Sequence, residues 1–122
     1  MSHGGNCYLQ AGYSVLNWRG CCPVPRHWTD VVLCHGYPTG TGGDARGRVY
    51  GHAWVEGLDE DGVPWVLDAV TGVTLPQEVY YAVGSIDAAQ VQRYSPQAAR
   101  QRKVEYEHWG PWDNVPPDAA FG

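Results

Sequence analysis

Three residues have the chemistry and the order to act on an acyl group. Cys7 follows Gly4-Gly5-Asn6, His52 stands in Gly51-His52-Ala53-Trp54-Val55-Glu56, and Asp68 closes Pro64-Trp65-Val66-Leu67-Asp68. A thiol is a nucleophile as its thiolate. An imidazole can take the thiol proton, and a carboxylate on the far ring nitrogen fixes the tautomer that does so. Whether these residues meet depends on the elements that carry them.

Residues 7–18 place Leu9, Tyr13 and Leu16, and separately Ala11, Val15 and Trp18, at helical spacing. That pattern predicts a largely buried helix with Asn6 as N-cap. Cys7 then lies in the first turn, where the helix dipole stabilises an anion. Gly4 and Gly5 permit close approach of a substrate backbone. Residues 48–56 alternate as a strand, Asp59-Glu60-Asp61-Gly62 reads as a turn, and residues 64–70 return as a second strand. Residues 52 and 68 have the same parity, so an odd loop keeps them on one face and an even loop separates them. A three-residue loop Glu60-Asp61-Gly62, with Gly62 left-handed, puts Asp68 opposite Trp54 and diagonal to His52.

Elsewhere, residues 28–35 read as an apolar strand around Val31-Val32-Leu33, and residues 36–47 as a glycine-rich loop beside the site, suited to closing over substrate. That loop lacks the Gly-Lys-Ser/Thr ending of a phosphate loop. Residues 78–83, aromatic and β-branched, predict another strand. Ser95-Pro96 opens a helix to about residue 107. Arg93, Arg100, Arg102 and Lys103 read as its solvated face. The remainder, with Trp109, Pro111 and Trp112, reads as an irregular tail whose last ten or so residues are loose.

The 122 residues fit a single domain, residues 1–122. A hydrophobic fraction of 43% with 17% charged residues excludes a disordered chain. Six Trp and eight Tyr against one Phe suit a core that also lines a polar site. A net charge of -5 argues against a nucleic-acid partner. No apolar run approaches the ~20 residues of a membrane span, and no signal peptide is visible. These features predict a cytoplasmic chain with free thiols at Cys7, Cys21, Cys22 and Cys34; a trimmed secreted precursor is the alternative. Adjacent Cys21-Cys22 and Cys34-His35 do not have structural zinc spacing, so no metal and no cofactor are expected.

The strings Gly51-His52-Ala53-Trp54-Val55-Glu56 and Trp65-Val66-Leu67-Asp68 resemble the transglutaminase-like superfamily of the papain-like fold. Its His-x-Trp-x-Glu strand turns into a Trp-rich strand ending in Asp. Gly5-Asn6-Cys7-Tyr8-Leu9-Gln10-Ala11 is similar to its Gly-x-Cys-x-x-x-Ala helix start, and separations of 45 and 16 residues fit its Cys-His-Asp order. The resemblance covers residues 4–71. Leu75-Pro76-Gln77-Glu78-Val79-Tyr80-Tyr81 and His108-Trp109-Gly110-Pro111-Trp112-Asp113 resemble stretches of small bacterial and bacteriophage proteins of this type.

The resemblance implies an α+β fold, with a Cys-bearing helix packed on an antiparallel sheet that carries His and Asp. It implies Cys7 as nucleophile, His52 as base and acid, and Asp68 as orienter. The expected activity is amide hydrolysis on a peptide or protein, by a peptidase or isopeptidase. A Gln-directed deamidase or transglutaminase is the alternative, and a catalytically inactive protein-binding module of the same fold is the alternative of another class. Only six residues precede Cys7, which leaves no place for an upstream Gln as oxyanion donor, and no Pro follows Asp68. The oxyanion donors then fall to the Cys7 backbone N–H with Asn6, His3 or a Trp indole, and Gly5, Asn6 and Trp54 are the candidate oxyanion or substrate-binding residues.

Overall fold

The computed structural model describes residues 6–16, 24–40, 47–112 and 120–121. The chain is α+β, with an N-terminal helix and a five-stranded antiparallel sheet. Helix α1 spans Asn6–Leu16, and strands β1, Thr29–Gly36, and β2, Tyr50–Leu58, follow it. Then come β3, Pro64–Asp68, and β4, Val73–Pro76. Helix α2 spans Gln77–Gly84, β5 spans Gln92–Tyr94, and α3 spans Pro96–Tyr106. The sheet order is β4-β3-β2-β1-β5, so β2 lies at its centre.

The hairpin has the register that its turn sequence demands. Val55 pairs with Leu67, Glu56 with Val66, Gly57 with Trp65 and Leu58 with Pro64. The Asp59 N–H donates to the Val63 carbonyl at 2.9 Å, leaving Glu60-Asp61-Gly62 as the loop. Gly62 has φ +78°, the left-handed position that closes such a loop. The Asp59 carboxylate accepts the N–H groups of Asp61 and Val63 and the Trp65 indole N–H, so the loop is held from within.

Alternation along β2 then assigns two faces. Ala53 and Val55, with Leu33 and Leu67 from the flanking strands, face α1 and pack on Cys7, Tyr8, Ala11 and Val15. Trp54, with Cys34 and Val66, faces away from α1 and is covered by Tyr80 and Tyr81 of α2 and by Ile86. Of the two expected rows of α1, that of Ala11 and Val15 is buried as expected, and that of Leu9 and Tyr13 is not. Leu9 and Tyr13 are about half exposed, and the buried row is Cys7/Tyr8, Ala11 and Val15. Small residues take the inner side because the helix lies close to its neighbours: a Cβ on Gly12 would stand 2.3 Å from the Trp109 ring. His35 lies on this same face, buried among the rings of Tyr8, Tyr94 and Trp112 at 4.8–5.1 Å.

Other segments depart from expectation. Residues 78–83 are not a strand but the body of α2. Pro76 sits at its N-cap and Glu78 in its first turn, both helix-start features. Tyr80 and Tyr81 are neighbours that both reach the sheet, which a strand would forbid by pointing them to opposite faces. Short strands β4 and β5 were not foreseen; at four and three residues they carry almost no periodic signal. Helix α3 matches its sequence signals, with the Ser95 side chain accepting the Ala98 N–H at 3.1 Å and Pro96 at the first position. Within the tail, Ala120 and Phe121 form a short strand, β6, parallel to β2 at Tyr50 and Gly51. The predicted helical residues 17 and 18, and most of the glycine-rich loop, lie outside the described residues.

Gly36 lies under the central tryptophan: a Cβ there would stand 2.4 Å from the Trp54 ring, which is fully buried. Gly36→Ala is therefore expected to cost about 1–3 kcal/mol by overpacking. Gly62→Ala meets open space but keeps a positive φ, and should cost about 1 kcal/mol. Urea denaturation of both variants checks this, and a Gly36→Ala protein as stable as the parent would contradict the packing described.

Candidate functional site

His52, Trp54 and Glu56 occupy alternate positions of β2 and share one face. Continuing the β2–β3 ladder by one pair beyond Val55↔Leu67 sets Asp68 opposite Trp54 and diagonal to His52. Asp68 Oδ2 accepts the His52 Nε2–H at 3.1 Å and the Tyr80 hydroxyl at 3.0 Å. Its Oδ1 accepts the backbone N–H groups of Val70 at 3.0 Å and Thr71 at 3.3 Å, in the turn that follows β3. Both oxygens are thus satisfied by donors, as a buried carboxylate requires.

The electrostatics follow from these contacts. Burial alone would lower the proton affinity of His52. The hydrogen bond to Asp68, the neighbouring Cys7 thiol and the charges of both outweigh it, and the imidazole pKa is pushed up to about 9. For Asp68, burial pushes the carboxyl up, but the His52 bond and charge, the Thr71 N–H and the Tyr80 hydroxyl hold it below its ordinary value. Burial and the neighbouring Asp68 charge push the Tyr80 phenol far up, so it remains a neutral donor. At neutral pH the pair is therefore an imidazolium on a carboxylate.

Cys7 of α1 is the other group that acts on His52. It is fully buried in the first turn of α1, which contains no acidic residue. The His52 Nδ1 atom is buried with no hydrogen-bond partner. Besides Asp68, the group that acts on the ring is the Cys7 thiol. The β1–β2 ladder ends at Gly36↔His52. The Tyr50 ring packs edge-on to His52 at 5.8 Å, and its phenol is raised by burial and then by the charges of Asp68 and Cys7. Such an arrangement can hold a sulfur anion against an imidazolium and pass one proton between them.

Trp54 does not serve as the expected oxyanion donor. Its indole N–H donates to Glu56 Oε2 at 2.9 Å and its ring is fully buried. Glu56 is a hub: it also accepts from Gln77 Nε2 at 2.7 Å, from Arg93 Nε at 3.3 Å and from the Tyr81 hydroxyl. Arg93 accordingly belongs to β5 and to this buried carboxylate, not to a solvated helix face. Arg102 and Lys103 lie over the rings of Tyr94 and Trp109. Asn6 heads α1 by its backbone; its side chain, Gly5 and His3 lie outside what is described. Cys7 and Cys34 are not disulfide-bonded, while Cys21 and Cys22 lie outside the described residues. Burial and the Glu56 charge push Cys34 well up.

Sequence reasoning missed Tyr80 and Tyr81 because it placed them on a strand, and Gln77 because it assigned that residue to no element. Pro76 with Glu78 was the signal that could have found the helix. A cavity of about 410 Å³ opens beside His52, Asp68 and Tyr80. No described helix is long and apolar enough to cross a membrane. Comparisons with protein-family models, with curated proteins and with solved structures find no match.

The His52–Asp68 pair has a defined pH signature. His52 titrates near ~6.5 in an unfolded chain and near about 9 in the folded one. Its stabilisation is therefore complete below about 6.5 and lost as pH rises through about 9. The lowered Asp68 carboxyl sets the acid limit, contributing above ~3.9 and lost as pH falls through its folded value. Asp68→Asn should cost about 1–3 kcal/mol near pH 6. The melting-temperature difference from the parent should shrink toward pH 9. In an NMR titration the His52 midpoint should fall from about 9 toward the ordinary imidazole range; an unchanged midpoint would show that Asp68 does not hold the proton.

Proposed function

We propose that the chain is a cysteine-dependent amide hydrolase of the transglutaminase-like, papain-like type, acting on a peptide or protein. The observation that carries this reading is a buried His52–Asp68 pair at 3.1 Å whose imidazole is also acted on by the thiol of Cys7, at the start of α1. An ion pair of structural value needs no thiol on its free side, and a buried structural cysteine needs no charged imidazole. Cys34, on the face of the sheet away from α1, is pushed well up by burial and then by the Glu56 charge, with no imidazole among the causes.

In the proposed reaction the Cys7 proton resides on His52, and the thiolate adds to the carbonyl carbon of the amide. The N–H groups of the first turn of α1 have no intrahelical acceptor, which leaves that of Cys7 as a donor for the developing oxyanion. As the tetrahedral adduct collapses, the C–N bond breaks and His52 gives its proton to the departing nitrogen. Water, deprotonated by the now neutral His52, cleaves the thioester and returns the thiol. Asp68 stabilises the imidazolium in the charged steps, and Tyr80 keeps Asp68 oriented. Because Cys7 is fully buried, a local opening of the surface precedes acylation.

Single-turnover acylation by a p-nitrophenyl ester, followed by intact-mass and peptide mapping, tests this reading. The adduct should form on Cys7 and not on Cys34, and Cys7→Ala should form none. His52→Ala should slow acylation by about 10²–10⁴-fold. The parent rate should fall as pH rises through about 9, where the imidazolium is lost. An adduct on another residue, or a Cys7→Ala protein that still acylates, would overturn the assignment.

A further inference from the structure

The central strand has a stretch of edge that β3 does not reach. β3 ends at Asp68, where the Asp68 carbonyl accepts the Gly72 N–H at 2.7 Å and the chain turns away. Because Asp68 stands opposite Trp54, the first residues of β2, from Tyr50, lie beyond the end of β3. Tyr50 is held from the β1 side, where its N–H donates to the Pro38 carbonyl at 3.1 Å. The backbone groups of successive strand residues point to opposite sides, so Gly51 offers its N–H and carbonyl to the side that β3 has left. There β6 lies, with Ala120 and Phe121 paired in parallel to Tyr50 and Gly51. The place adjoins the candidate site: the Tyr50 ring packs on His52, and its phenol feels the charges of Asp68 and Cys7. A parallel strand in this register runs toward His52 and reaches it with the residue after Phe121.

Two residues of parallel pairing close this edge weakly. Parallel pairs are the less stable kind per residue, and an open edge is a template for another extended chain. A longer peptide can pair with the same backbone groups and continue to His52. We propose that this edge of β2 is a docking surface for an extended peptide, added as a strand parallel to β2, and that β6 is the chain's own segment holding the place until a peptide displaces it. Recognition of this kind runs through main-chain groups, so the partner is defined by an extended backbone free to pair more than by one sequence. As the seat of a substrate the edge rests on the hydrolase reading above; as a docking surface it stands without it. In either case β6 is an intramolecular competitor, favoured by its tether and opposed by its short ladder.

The test is an NMR titration of the 122-residue chain and of its Ala120→Pro variant with an acetylated, amidated peptide of the sequence of residues 115–122. Proline removes a backbone N–H from β6 and should release it from β2. Phe121→Pro gives the same comparison should Ala120→Pro fail to fold. The peptide should shift the amides of Tyr50, Gly51 and His52 in both proteins. Its apparent affinity for the parent should be weaker by on the order of 10-fold, because there the edge is mostly taken. No shifts at these amides in the variant, or equal affinity in both proteins, would overturn the proposal. Shifts that grow with protein concentration in the absence of peptide would also overturn it, by assigning the edge to the tail of a second copy. With a p-nitrophenyl ester, the variant should acylate Cys7 faster than the parent, and the peptide should slow it again. Peptide binding with no effect on acylation would overturn the edge as a substrate seat while leaving the hydrolase reading intact. If neither protein acylates, the hydrolase reading fails, and the titration alone decides the docking surface.

Discussion

The period of two along β2, pinned by a three-residue loop, is the constraint on which the rest of the structure depends. It sends His52, Trp54 and Glu56 to one face and Ala53 and Val55 to the other. Because β3 pairs in the register set by Gly62, Asp68 arrives on the His52 face. A slip of one residue would turn every one of these side chains over. The internal bonds of Asp59 to Asp61, Val63 and Trp65 guard against that slip at the turn itself. Trp54 separates the two charged groups of its face and seals the space between them.

Two buried carboxylates then do different work with the same chemistry. Glu56 gathers donors from β2, α2 and β5, and so fastens the helix cover to the sheet. Asp68 gathers one imidazole, one phenol and two backbone N–H groups. Burying either charge is costly, and removing a partner leaves an uncompensated ion. Helix α2 serves both, because Tyr80 and Tyr81 are adjacent and each reaches one carboxylate. The position of Asp68 against His52 is consequently tied to the docking of α2 and, through Glu56, to Arg93 of β5.

The site was more legible in the sequence than its support. Parity of residues 52 and 68 with a glycine-closed turn was enough to bring His52 and Asp68 together, because strand periodicity and turn chemistry are local rules. Asn6 before an apolar helix was enough to start α1 there. On α1 the Ala11/Val15 row was legible, but Leu9 and Tyr13 were misjudged because their bulk was read as burial. Close packing against Trp109 instead demanded small residues. The β propensity of Val79, Tyr80, Tyr81 and Val83 hid α2, where long-range bonds to Asp68 and Glu56 override local preference. Trp54 had the right neighbourhood for an oxyanion donor, but its commitment to Glu56 is a tertiary fact that spacing does not reveal.

The central claim is that Asp68 acts through His52 on Cys7, so that the three work as one unit. A double-mutant cycle on single-turnover acylation tests this most directly, with His52→Ala, Asp68→Ala and the double variant, each checked for folding by thermal melt. Residues that act through one another give losses that do not add. The expected result is a double variant no slower than His52→Ala alone. Losses that multiply would contradict the claim, since Asp68 would then act independently of the imidazole it holds.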